Sequence, residues 1–289
     1  MTEQTLLRRN AAALGRIVGF LAVAGLAIGL LEVLVTLVTG GPPRGEVASV
    51  TISTIALVIA TALFVRGVDK HPWSVVWLDR DAARPRTIVL GFAIGAFAIG
   101  IPTAMLIVAR WLAGAPSASG SWITAAAHSA ALLLPAAFLE ELATRGYVLS
   151  VLRDLWGWGA AVTLTSIVFG LLHLMNNGVT VESVVLVTLA GFFLAAVLYA
   201  TKSLYAAWMA HFAWNWTMAA VFHVAVSGIP LETPNYRYVD AGPDWATGGV
   251  WGPEGGIPAG IGMIAAMAFL YAARRSRFTV RKDDASLET

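Results

Sequence analysis

The chain has 289 residues, 58% of them hydrophobic and 12% charged, with a mean hydropathy of +0.74. A soluble domain carries about 25% charged residues, so the composition excludes a soluble globular protein and assigns an integral membrane protein. The absence of cysteine removes disulfides, thiolate nucleophiles and thiolate metal ligands. A formal net charge of only +2, despite a pI near 9.1, gives no footing for nucleic acid as a partner.

A membrane-spanning helix needs about 20 mostly apolar residues. On that criterion the chain reads as eight spans, near 17–39, 48–65, 87–109, 124–152, 160–175, 183–200, 204–227 and 257–273. The fold expected is therefore an all-α polytopic membrane protein. The first span starts after a basic segment, as a signal peptide would, but its apolar run is long enough to be a retained anchor. The fourth is overlong and the fifth short. Between them lies the turn "RDLWGWG", Arg153 to Gly159. Residues 228–256, rich in Gly, Pro, Tyr and Trp, read as an irregular outer loop at the membrane interface.

Of the nineteen Lys and Arg residues, fifteen fall on one side of these spans and three on the other; Arg145 lies within a span. That asymmetry predicts both termini on the cytoplasmic side, in keeping with an even number of spans. The expected organisation is an N-terminal set of three helices over 1–121, a core over 122–227, and an outer loop with a last helix and basic tail over 228–289.

Ionisable groups inside spans cost roughly 2.5–3.5 kcal/mol each on insertion scales and are functional candidates for that reason. Three clusters stand out: Glu140, Glu141 and Arg145 on the fourth span; Phe169 and His173 on the fifth; His211 and Asn215 on the seventh. Glu141 and Arg145 are four apart, on one helix face, with Glu on the favourable N-terminal side. Glu140 points about 100° away and is left without that partner. Glu140 and His173 lie 13 and 14 residues from the ends of the Arg153–Gly159 turn, so each stands about 20 Å from it. His211 and Asn215 fall at overlapping depth. Three helices thus bring together a carboxylate, two imidazoles and an amide. These groups suit water activation: a poorly solvated carboxylate acts as general base, while imidazole and amide N–H groups can donate to a developing oxyanion.

Glu140-Glu141-xxx-Arg145, Phe169-xxx-His173 and His211-xxx-Asn215, in this order on separate apolar helices, resemble the CPBP family of intramembrane proteases, which includes the CAAX prenyl endopeptidases and bacteriocin-processing or immunity proteins. The resemblance covers about residues 122–227 and all seven motif positions. It implies an endopeptidase acting on a membrane-associated peptide or protein. Glu140 would be the water-activating base, helped by His173; His211 and Asn215 would stabilise the oxyanion; Glu141 and Arg145, with Phe169, would support the geometry. It also leaves a metal open: His173, His211 and Glu140 could form a three-ligand zinc site. No HExxH helix is present. Two readings from other classes compete: a proton-coupled small-solute transporter, which would more often show two similar halves, and a non-catalytic membrane scaffold or immunity protein. Outside the motifs, Glu32 reads as a structural pairing or lateral-gate residue, His128 and His223 as helix-end residues, and Arg110 as a snorkelling side chain.

Overall fold

The computed structural model describes residues 3–287, with side-chain surroundings for 4–275; the tail side chains of Arg277, Arg281 and Lys282 lie outside the described residues. Among the described residues eight helices of 13 residues or more cover the eight segments read from the sequence. They are α1 (Glu3–Thr39), α2 (Glu46–Ala62), α3 (Pro85–Val108), α4 (Trp122–Glu141), α5 (Tyr147–Leu172), α6 (Val181–Thr201), α7 (Leu204–Trp216) and, after the short α8 (Asp244–Thr247), α9 (Ile257–Leu287). Helix α5 begins inside the expected fourth span, and α7 ends before the seventh does. Among the described residues six helical stretches are long and apolar enough to cross a membrane. The difference from eight has two causes. Residues Trp122–Leu172 count as one stretch of 51 residues, because α4 passes into α5 through a π-helical turn at Leu142–Gly146. Helix α7, diluted by Trp, His and Asn, falls outside the six.

The 51-residue stretch is nonetheless a hairpin. Gly157, at φ 81° and ψ 172°, breaks the helix inside α5. Only glycine enters that region without steric cost. The arm before Gly157 continues α4, and the arm after it returns, so that Glu140 and His173 face each other across the fold. The overlong fourth span and the short fifth are found; the expected turn over Arg153–Gly159 is instead helix broken at Gly157 alone.

Helices α4 and α7 run antiparallel and are tied by indole-to-carbonyl hydrogen bonds. The Trp208 indole donates to Leu134 O at 2.7 Å, Trp216 to Ala126 O at 3.1 Å, and Trp122 to Ala220 O at 2.7 Å. Trp208 and Trp216 therefore serve the α4–α7 interface. In hydrocarbon, where no water satisfies a carbonyl, such bonds fix helix register. On the other side of α7, Gly91 and Gly95 of α3 lie against its backbone. A Cβ at Gly91 would meet Ala206 O at 2.2 Å, and one at Gly95 would meet Ala210 O at 1.9 Å. This Gly-xxx-Gly pair on Ala206-xxx-Ala210 brings the two backbones together, as small residues do in membrane helix pairs. His211 follows Ala210 directly, so the contact also sets its position.

The outer segment is more ordered than its composition suggests. Residues Leu112–Pro116 (β1) and Tyr236–Asp240 (β2) form an antiparallel ribbon, with Leu112 opposite Asp240 and Pro116 opposite Tyr236. Pairing with a distant segment, rather than local pattern, makes this ribbon. The outer segment then folds inward, and Trp251 is fully buried in the apolar core beside Phe193, Met218 and Met263.

Candidate active site

The π-helical turn after Glu141 widens the fourth span where its charges lie. Such turns insert one extra residue per turn and recur at functional sites. The Thr144 hydroxyl donates to Glu140 O at 2.6 Å. Glu141 and Arg145 are both fully buried and paired, Nη1 to Oε1 at 3.0 Å. Arg145 also donates to Thr144 Oγ1 at 2.7 Å and to Gly191 O on α6 at 3.1 Å. Its guanidinium lies 4.3 Å from the centroid of the Phe169 ring, a cation–π contact strengthened by the dry surroundings.

Two imidazoles are oriented by this scaffold. His211 Nδ1 lies 3.0 Å from Glu141 Oε1, so Glu141 serves Arg145 and His211 with one oxygen. His173, at the C-terminal cap of α5, has Nδ1 2.8 Å from Phe169 O. A carbonyl only accepts, so the His173 proton sits on Nδ1 and Nε2 presents a lone pair. The Phe169 ring packs against both, 4.9 Å from the His173 ring and 5.8 Å from the His211 ring.

Both free Nε2 atoms turn toward Glu140. Its Oε2 lies 4.0 Å from His173 Nε2 and 3.8 Å from His211 Nε2, and it has no hydrogen-bond partner. The Glu140 side chain is 38% exposed, while Glu141 is at 0%. Two adjacent carboxylates thus occupy different environments. Glu141 is wholly buried, with Oε1 holding Arg145 and His211. Glu140 is part-exposed, with its buried Oε2 turned to the two imidazoles; Glu141 Oε2 is likewise buried without a partner. Beside them is a cavity of about 30 Å³, room for one water, lined by His173, His211, Asn215, Trp214, Ser227 and Glu254. All seven sequence-predicted residues gather at this place. Glu140 faces His173 and His211, the Phe169 ring packs on both imidazoles, Glu141 and Arg145 lie directly behind, and Asn215 lines the cavity.

Glu254 and its neighbours were not read from the sequence. Its Oε1 accepts from Ser227 N at 2.5 Å and Ser227 Oγ at 2.6 Å, and its Oε2 accepts from the Trp214 indole at 2.9 Å. Asn176 donates to Ser227 O at 3.0 Å, Gly228 N donates to Trp251 O at 2.9 Å, and the Trp251 ring lies 6.5 Å from that of His173. The segment expected as an interfacial loop therefore roofs the site, and a carboxylate clasps it to α7. The available signal was a glutamate among apolar and glycine residues in "VWGPEGG".

The donor types would suit zinc, and each imidazole has the outer hydrogen bond that metal-bound histidines show. The spacing does not. Tetrahedral zinc ligands at about 2.0–2.1 Å stand about 3.4 Å apart, less than the 3.8 and 4.0 Å found. Among the described residues no group of three such side chains could hold a metal ion. As placed, these residues do not form the three-ligand site that the resemblance left open.

Fold and site together define a multi-pass, all-α membrane protein with one acid–imidazole cluster enclosed among α4, α5 and α7. Residues 120–217, about a third of the chain, match the family model for Rce1-like type II CAAX prenyl endopeptidases, which agrees with the resemblance drawn from the motifs. No curated protein and no solved structure matches the chain.

Proposed function

We propose that this protein is an intramembrane endopeptidase that hydrolyses a peptide bond of a membrane-associated substrate with a water activated by Glu140. One observation carries the reading: an unpartnered carboxylate oxygen faces two Nε2 atoms at 3.8 and 4.0 Å, while the opposite nitrogen of each ring is tied down. A water there donates one hydrogen to Glu140 Oε2 and the other to the lone pair on His173 Nε2. Its own lone pair is then directed outward, toward a carbonyl carbon. As the C–O bond forms, Glu140 takes the proton. The oxyanion accepts from the Asn215 amide and from His211 Nε2, protonated against Glu141. Glu140 then passes its proton to the departing amine, the C–N bond breaks, and no covalent enzyme intermediate is required.

Glu141 and Arg145 act on the reaction through others: they hold the His211 ring and keep a second buried charge neutralised. The roof closes the site beside Trp251, so a peptide enters from the exposed side of Glu140. The charge asymmetry of the loops supports a reading with both termini on the cytoplasmic side.

The test is cleavage by purified protein in lipid vesicles of bilayer-anchored peptides ending in Cys-Ala-Ala-X, with and without a farnesyl group, in ¹⁸O-labelled water. Hydrolysis with one ¹⁸O in the new carboxylate, lost in Glu140→Gln, supports the proposal. Failure of the wild-type protein to cut any peptide of the panel would count against it.

A further inference from the structure

Away from the site, at the membrane boundary that bears the basic loops, three helices deliver cations to one aromatic floor, and a fourth places Arg9 on the adjacent Asp154 carbonyl. The floor is built from Trp77, Trp158 and Tyr199, with ring centroids 5.3 Å apart for Trp77–Trp158 and 5.1 Å for Trp158–Tyr199. Arg153, on the arm before the Gly157 break, lies 5.1 Å from the Trp77 centroid and 5.7 Å from that of Trp158. Lys202, at the C-terminal cap of α6, lies 4.8 Å from Trp158 and 4.1 Å from Tyr199. Arg274, near the end of the span Ile257–Arg275, lies 4.2 Å from Tyr199 and donates to Tyr199 O. Arg9 of α1 donates to the main-chain carbonyl of Asp154.

The charges do not balance. Among the described residues, the single carboxylate paired with any of these four cations is Asp154, held by Arg153 Nη2 at 2.7 Å. Partial burial pushes the Lys202 ammonium below its ordinary range, and Arg274 and Arg153 repel it further in the same direction. The C-terminal carbonyls of α6 help to offset this, yet Lys202 and Arg274, which share the Tyr199 ring, have no carboxylate between them among the described residues. The surroundings say which kind of anion fits there. Tyr199 is 41% exposed, and Tyr271, one turn before Arg274, is 68% exposed, as is the apolar face of α9 that includes Phe269 and Ile264. A ligand here has its charge at the membrane boundary and hydrocarbon below it. Basic pockets between membrane helices at such a boundary take anionic head groups.

We propose that Lys202, Arg274 and Arg153, over the Trp77–Trp158–Tyr199 floor and with Arg9 held on the neighbouring Asp154 carbonyl, form a binding site for the phosphate of an anionic phospholipid whose acyl chains lie along α6 and α9. The site ties α1, the α4–α5 hairpin, α6 and α9 together at one membrane face. It is independent of whether the protein cuts peptides.

The test is native mass spectrometry of the full chain in detergent, titrated with phosphatidylglycerol or phosphatidylcholine, alongside melting in nanodiscs of each lipid. The wild type should retain phosphatidylglycerol preferentially and melt higher in it. Lys202→Glu and Arg274→Glu should each weaken that preference about five-fold, and together abolish it, while melting in phosphatidylcholine stays unchanged. Arg80→Glu with Arg86→Glu, on the same basic face but outside the cluster, should leave the preference intact. Equal retention of both lipids by the wild type, or equal loss in the control pair, would overturn the proposal. So would displacement of the lipid by millimolar inorganic phosphate, which would make this a site for free anions.

Discussion

Replacing Arg145 with methionine removes a cation that is fully buried and has no water to replace it. Three partners lose a donor: Glu141 Oε1, Thr144 Oγ1 and Gly191 O. Phe169 loses its cation–π contact. Breaking a buried ion pair costs about 3–5 kcal/mol, mostly because the remaining charge is stranded. Here Glu141 keeps one donor, His211 Nδ1, which favours the lower end, and the lost cation–π contact adds about 1 kcal/mol. We expect a loss of about 4 kcal/mol in Arg145→Met, measured by reversible SDS titration in mixed micelles with far-ultraviolet circular dichroism. The double variant Glu141→Gln/Arg145→Met no longer strands a charge, and its amide oxygen still accepts from His211. It should be more stable than the single arginine variant, with a coupling of about 2 kcal/mol or more. A single-variant loss under about 1 kcal/mol, or additive losses in the double, would refute the reasoning that these two charges form one buried unit.

In Glu254→Gln, the amide oxygen can serve Ser227 or the Trp214 indole, not both, so one N–H is left facing an NH₂ group. Stability should fall by about 1.5–3 kcal/mol, and kcat should fall more than KM rises, because the roof beside His173 loosens while the peptide entry is untouched; an unchanged melting temperature would sink this. Gly95→Ala drives a methyl into Ala210 O, 1.9 Å away, whereas Gly25→Ala meets nothing within 4 Å. The first should lower stability by at least about 1–3 kcal/mol and the second should not, as read by thermal unfolding; equal behaviour would contradict the close α3–α7 contact. Millimolar phenanthroline should leave the cleavage rate within about two-fold, and a loss restored by zinc would instead make ligands of Glu140, His173 and His211.

What the sequence made legible was the chemistry written at helical spacing. The i,i+4 relation of Glu141 and Arg145, the orphaned Glu140, and the near-equal distances of Glu140 and His173 from one turn follow from about 3.6 residues per turn and 1.5 Å rise. The first two hold in the structure, and Glu140 and His173 meet as the third requires. What stayed hidden depends on contacts between distant segments. Glu254 sits in a glycine- and proline-rich stretch that reads as an exposed loop, and nothing local announces that Ser227 and Trp214 meet it. The β1–β2 ribbon joins residues more than 100 apart in the chain. The break at Gly157 was placed within a turn, but the continuity of α4 into α5 through a π-helical turn was not visible, since no residue type there forbids an α-helix. Gly91-xxx-Gly95 was a readable packing signal on α3, and Ala206 and Ala210 supplied its partner.

The most direct measurement of the central claim is the single-turnover cleavage rate of Glu140→Gln against wild type across pH. Gln keeps the shape of Glu140 and can still accept a hydrogen from water, but it cannot take a proton. The rate should fall by at least about a hundred-fold at every pH, with peptide binding and melting temperature unchanged. A variant that cuts at the wild-type rate with the same pH profile would show that the open carboxylate facing two imidazoles is not what activates the water.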